Sequence, residues 1–285
     1  MRATWSRAWP VLRRNHLALA GGAIIVAFVL LGALAPALAP YDPNSVDLAA
    51  VLRPPASQHW LGTDHQGRDI LSRIVFGARL SLYLGVGSVA LGGSLGVLAG
   101  LLAGYFRFML APVMRTMDVL LAFPGIVIAL TTVALLGPGT FNVVLAVGLS
   151  QLPQFGRVIY GMVLTLREEA FVEAARGLGA TDGTILRRHI LPNVLGPTIV
   201  QTSLLLPVAI LTGASLSFLG AGVQPPTPEW GAMLSDSRKW MTVAPHLMAA
   251  PGVALILVVL GFNVLGDGLR DALDPRSRVT TPGGS

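Results

Sequence analysis

The chain of 285 residues has no cysteine, a single lysine (Lys239) and only 12% charged residues. Without cysteine, disulfides, thiol nucleophiles and cysteine-based metal centres are unavailable. A phosphate-cradling nucleotide loop needs a lysine inside a glycine-rich strand–helix turn, and Lys239 lies far from any such turn, so ATP must be handled by another chain. Few charges, 53% hydrophobic residues and a mean hydropathy of +0.68 exclude a water-soluble domain. The sequence also lacks internal repeats, low-complexity tracts and long linkers.

What is present is a series of long apolar runs. Roughly 20 apolar residues at about 1.5 Å each cross a ~30 Å hydrocarbon layer. Six segments qualify: Leu17–Leu38, Leu80–Gly104, Val119–Leu136, Phe141–Met162, Val194–Gly220 and Leu247–Leu265. Backbone groups in lipid must be satisfied within their own element, and barrel-like alternation is missing, so an all-α polytopic membrane protein is expected. Ala37-Leu38-Ala39 imitates a signal-peptide cleavage site, yet the preceding run exceeds the roughly 7–15 residues of a signal core. The first segment therefore reads as a retained anchor.

Basic residues set the orientation. With both termini cytosolic, Arg2, Arg7, Arg13, Arg14, Arg107, Arg115, Arg157, Arg167, Arg176, Arg187, Arg188, Arg270, Arg276 and Arg278 fall inside. Only Arg53, Arg68, Arg73, Arg79, Arg238 and Lys239 remain outside, an asymmetry that favours this arrangement. The high pI then reflects anchoring against anionic lipid, with no basic, aromatic-interleaved face for nucleic acid.

Several positions invite functional readings. Ser88, Gly92, Gly96, Gly100 and Gly104 form a row of small residues along the second span, suited to close helix packing within the chain or against a second subunit. Pro124 predicts a kink in the third span. Gln151 and Gln154 in the fourth are costly in hydrocarbon and are candidates for a translocation path, or else for bonds to neighbouring helices. Arg157 marks the cytosolic interface. Outside, the segment from Pro40 to Arg79 becomes helical from Asp69; its His59, Asp64, His65 and Asp69 could bind a metal but serve equally well as caps and turns. Pro225–Pro228 before Trp230 reads as a stiff outer turn with an interfacial aromatic. Ser215 or Ser217 with His246 would be needed for an intramembrane protease, but neither the serine context nor that of Asp267 fits one. A passive channel lacks a charge ring or carbonyl filter.

The most informative segment is Glu173-Ala174-Ala175-Arg176-Gly177-Leu178-Gly179, followed by His189-Ile190-Leu191-Pro192. It reads as two short helices, the first from Arg167 to Leu178, a turn at Gly179, and a second capped by Thr181 and stopped by Pro192. An amphipathic hairpin lying on anionic lipid is the plainer alternative. Three further stretches accompany it: Trp60-Leu61-Gly62-Thr63-Asp64 through Gly67-Arg68-Asp69 to Leu82, Ser217–Gly220 through Val223–Gly231, and Asn263–Arg276. Together they resemble the dipeptide/oligopeptide/nickel branch of binding-protein-dependent ABC importer permeases, specifically its "C" permease. His189 stands where the general pattern has an aliphatic residue, a variation common in this branch.

The resemblance implies an anchor helix and extracytoplasmic segment over residues 1–79 and a permease domain over 80–285, in the bacterial inner membrane. It also implies a second homologous permease, two cytosolic ATPases holding ATP and Mg, and an extracytoplasmic solute-binding protein. Glu173, Ala174, Ala175, Gly179, Leu191 and Pro192 match the ATPase-coupling loop, the EAA loop, of that family. Short peptides are the implied cargo, with nickel or a nickel chelate as the alternative.

Overall fold

A computed structural model describes residues 15–273 together with Pro10, Leu12 and Arg13. Arg2, Arg7, Arg14, Arg276 and Arg278 of the charge asymmetry, and the Asp274-Pro275-Arg276 end of the last motif, lie outside the described residues. Among those described, every regular element is helical.

Helix α1 (His16–Ala33) starts where the Asn15 side chain accepts a hydrogen bond from Ala18 N–H at 3.1 Å. Pro36 sits in the following turn, α2 (Ala35–Leu38). After the outer segment, Asp69 caps α3 (Ile70–Tyr105), its carboxylate accepting from both Ser72 N–H and Ser72 Oγ–H at 2.8 Å. At about 1.5 Å per residue α3 is some 54 Å long, enough to cross a bilayer and project from it.

The third expected span is not one helix. It divides into α4 (Arg107–Leu121) and α5 (Gly125–Leu136), bent by 95° at Phe123-Pro124. Pro124 has no N–H and takes an extended ψ of 135°, and its ring disfavours helical geometry at Phe123, so the helix stops and restarts. Helix α6 (Thr140–Leu166) keeps Pro153 within it. Then come α7 (Ala170–Gly177), α8 (Asp182–Ile185), α9 (Leu191–Phe218), α10 (Trp230–Ser237) and α11 (His246–Leu273).

Among the described residues four helices are long and apolar enough to cross a membrane: α1, α3, the continuous stretch 182–218 and α11. The bent α4–α5 pair makes a fifth if counted as one span. Helix α6 is long enough at 27 residues but carries Asn142, Gln151, Gln154 and Arg157.

The core is organised around α3 and α6. A Cβ on Gly92 would lie 2.3 Å from the Gly148 carbonyl, one on Gly96 2.5 Å from that of Leu152, and one on Gly100 2.6 Å from that of Gly156. The small-residue row thus lets two backbones of this same chain touch, as internal packing requires. Leu84, Val143, Val147, Phe155, Leu205 and Leu216 complete the middle of the bundle. Helix α1 packs on α11, where a Cβ on Gly21 would meet the Gly261 carbonyl at 2.7 Å.

Candidate functional site

The hairpin at residues 170–190 is built as a rigid knob. Helix α7 ends in two backbone bonds: Gly179 N–H donates to Arg176 O and Ala180 N–H to Ala175 O, each at 3.0 Å. That pairing is the Schellman arrangement, which needs a left-handed residue just past the helix end, and Gly179 has φ +81°. Thr181 caps the second helix by accepting from Thr184 N–H at 3.4 Å. Val172 and Ala175 on one side and Ile185, Ile190 and Val194 on the other bury against Ile159 and Val163 of α6.

Pro192 does not stop the second helix. The chain runs helically from Asp182 to Phe218, with a π turn at Leu186–Ile190 before Leu191. A proline clashes with the carbonyl one turn behind and lacks an N–H; the widened turn accommodates both, so the helix continues into α9. The hairpin and a long apolar helix are therefore one piece.

Glu173, Ala174, Gly179 and Pro192 are exposed, Leu191 is half-buried and Ala175 faces the core. Leu178, at the tip, is 89% exposed, an apolar side chain that none of the described residues covers. The Tyr105 hydroxyl donates to Asp182 Oδ1 at 2.5 Å, tying the hairpin to the end of α3. A hydrogen bond with Tyr105 is also the first cause holding the Arg176 guanidinium above its ordinary value.

At the opposite end the outer segment is clamped to the bundle. Arg68 Nε donates to Asp64 Oδ2 at 2.6 Å, and Arg73 donates to the carbonyls of Pro43 (2.9 Å) and Pro226 (3.3 Å). His59 Nδ1 lies 2.9 Å from Asp69 Oδ1, and His65 stacks on Trp240. Asp64, Asp69 and His59 are thus engaged in a turn, a cap and an ion pair, whereas His65 only packs on Trp240; among the described residues its buried Nδ1 makes no hydrogen bond and no three such groups converge to hold a metal ion. Trp230 is not interfacial: it is 0% exposed, donates its indole N–H to Ile74 O at 3.1 Å and meets Phe28 edge-on. Its backbone begins α10, which Glu229 caps by accepting from Gly231 and Ala232 N–H at 2.9 Å. That capping pulls the indole inward. Glu229 is itself buried, and burial raises its carboxyl above the ordinary range despite those bonds.

Of the two serines weighed for catalysis, Ser215 Oγ donates to Leu211 O, while Ser217 Oγ accepts from Val223 N–H and also bonds the Glu229 carboxyl. Gln151 is 2% exposed, its amide donating to Leu205 O at 3.2 Å inside the bundle. Gln154, one turn on, is exposed.

The model of the "Binding-protein-dependent transport system inner membrane component" family matches residues 92–279, a stretch that includes α6, the hairpin, α9 and α10. The chain belongs to that family. A second model, the N-terminal TM domain of oligopeptide transport permease C, matches residues 4–55 of this permease. The permease is 46% identical over 278 residues to the glutathione transport system permease protein GsiD of Pectobacterium atrosepticum, covering 97% of this chain and 92% of that protein. The GsiD protein of Escherichia coli O157:H7 matches to the same extent. The dipeptide transport system permease protein DppC of Alkalihalophilus pseudofirmus is 46% identical over 275 residues, covering 96% and 90%. This is thus a multi-pass membrane protein of a transport family.

Proposed function

We propose that this permease is one of two membrane subunits of an ATP-driven importer of di- or oligopeptides, with six crossings and both termini cytosolic. In this reading α6 is the sixth crossing; Gln151 is tolerated there because it bonds α9, and Gln154 and Arg157 because they face a partner or water instead of lipid. A homologous permease completes the path, two ATPases holding ATP and Mg sit below, and a solute-binding protein delivers cargo from outside. The three named relatives are permeases of glutathione or dipeptide transport systems, which favours peptide over nickel.

The observation that carries the reading is the mechanical continuity of the hairpin with the helix 182–218. A groove on an ATPase that grips Leu178 and the exposed face of α7 would pull on a rigid stub. The stub is locked by its own core to α6 and continuous with α9, so ATP-driven closure would tilt both membrane helices together. Glu173, Ala174, Ala175, Gly179, Leu191 and Pro192 serve in it as contact or as shape. Of the two amides, Gln154 is the one positioned for the path, whereas Gln151 bridges α6 to α9.

The test is Leu178→Asp in the complete transporter. Membrane insertion should be unchanged, while ATPase subunits no longer co-purify and peptide uptake stops. Full retention of the ATPases would refute the role assigned to the hairpin.

A further inference from the structure

The face of α6 that no described helix covers carries an amide and a guanidinium where lipid would demand apolar side chains. Gln154, Arg157, Val158 and Gly161 are exposed at i, i+3, i+4, i+7 spacing. Across from them Asp118, near the end of α4, accepts a hydrogen bond from Arg157 Nη2, and the two side chains stay 55% and 54% exposed. The depth of this pair follows from the α3–α6 contact. The Gly156 carbonyl touches the place of a Gly100 Cβ, so Arg157 stands level with Gly100. No ionisable residue occurs on α3 between Tyr83 and Tyr105, and Gly100 lies five residues before its end, so Arg157 stands just inside the apolar layer at the hairpin end, roughly 7–8 Å deeper than the interface position expected for it.

Charged groups at such a depth turn towards a bundle interior or a watery cavity, not towards acyl chains. The middle of helix α11 shows the contrast: Val253, Ile256, Leu257 and Leu260, exposed at helical spacing, are apolar and suited to lipid, and polar exposed residues begin only at Asn263 and Asp267 towards its end. The bend between α4 and α5 lies beside the polar row. Met117 of α4 touches Gly156, and Gly125 of α5 lies against Ser150, so the corner at Phe123-Pro124 falls at the level of Gln154.

We propose that Asp118 and Arg157, with Gln154 one turn away, form a charged constriction in the cytosolic half of a water-filled solute path. Its two members can part to take a zwitterion, the guanidinium receiving a carboxylate and the Asp118 carboxylate an ammonium group. The proposal rests on the importer reading and adds the solute-contacting pair to it. A free peptide, with one charge of each sign, matches both ends.

The cysteine-free chain supplies a clean background for the test. Gln154→Cys, Val158→Cys and, as control, Ile256→Cys are each made in the complete transporter and exposed in inside-out vesicles to a charged, membrane-impermeant methanethiosulfonate. The first two should react at least about tenfold faster than the control, because only a watery face admits the reagent. Rates equal to the control's would overturn the proposal, whether lipid or a tightly packed second subunit covers the face. The second arm follows dialanine uptake in Asp118→Asn, Arg157→Gln and the double variant. Each should raise KM about fivefold or more, since charge-assisted bonds to solute are lost. Restoration of uptake in the double variant would show a purely structural lock and overturn the solute-contacting role. If the unsubstituted transporter moves no dialanine, the peptide reading fails, and the alkylation rates alone decide the path.

Discussion

Replacing Gly179 separates backbone shape from surface chemistry in the hairpin. An added Cβ there meets nothing within 4 Å, so packing is untouched, but φ is +81°. A side chain in that left-handed region costs roughly 1–2 kcal/mol relative to glycine, and asparagine less than most. Since about 1.4 kcal/mol is a factor of ten, alanine should shift the ordered turn towards open forms by roughly five- to thirtyfold unless the surrounding core holds it. That core is small, resting on Val172, Ala175, Ile185, Ile190 and Val194, so a good part of the strain should appear in function. The assay is ATPase co-purification and uptake for Gly179→Asn, Gly179→Ala, Gly179→Val and Gly179→Asp in the complete transporter. Retention should fall in the order glycine, asparagine, alanine, valine, with aspartate abolishing uptake yet leaving insertion intact. Gly183→Ala, at an open helical position, serves as control and should match the parent. If asparagine and valine behave alike, the turn is not what the family motif encodes; full uptake with aspartate, which tolerates positive φ much as asparagine does, would show instead that the knob accepts a charge there.

Three other outcomes follow from the packing and from Glu229. Gly96→Val should lower the thermal midpoint of the detergent-solubilised permease by an amount equivalent to about 1–3 kcal/mol, because its Cβ would stand 2.6 Å from Phe155 Cβ; Gly22→Ala, with 3.8 Å of clearance, should not. Trp230→Ala should cost about 3–5 kcal/mol by the same measurement, whereas Trp60→Ala, 72% exposed, should change little. Burial raises the Glu229 carboxyl in the folded state, so its contribution is full below the ordinary carboxylate value and is lost as pH rises through the raised one. Thermal midpoints should therefore fall on going from acidic to alkaline buffer, and Glu229→Gln should flatten that dependence while losing one bond to a backbone N–H; an unchanged slope would refute the assignment.

Much of this molecule was legible because lipid imposes simple rules. Apolar runs located the long helices, though α3 and the stretch 182–218 begin well before their runs and the third run holds a break, and the Gly92-Gly96-Gly100 spacing announced a close helix contact. The hairpin was readable too, since Gly179 and Thr181 act on their immediate neighbours and need no distant partner. Pro192 and Pro124 show the limit. Each removes one N–H, yet the chain widens one turn at Leu186–Ile190 and carries on, whereas at Pro124 it breaks by 95°. Which occurs depends on the helices packed alongside, and no local pattern records that.

The same division holds for the polar residues. Their identity and approximate depth came from sequence, because hydropathy and helix rise are properties of the chain. Their company did not. The rotation of α6 sends Gln151 to the Leu205 carbonyl, leaves Gln154 on an open face and brings Arg157 to an aspartate 39 residues away. Trp230 was expected at an interface and is buried, because the Glu229 cap and the Ile74 carbonyl hold it inward. Sequence alone determined an all-helical membrane permease with a glycine turn at Gly179; only the tertiary arrangement decided which side chains meet, since that depends on helix rotations set by all the contacts at once.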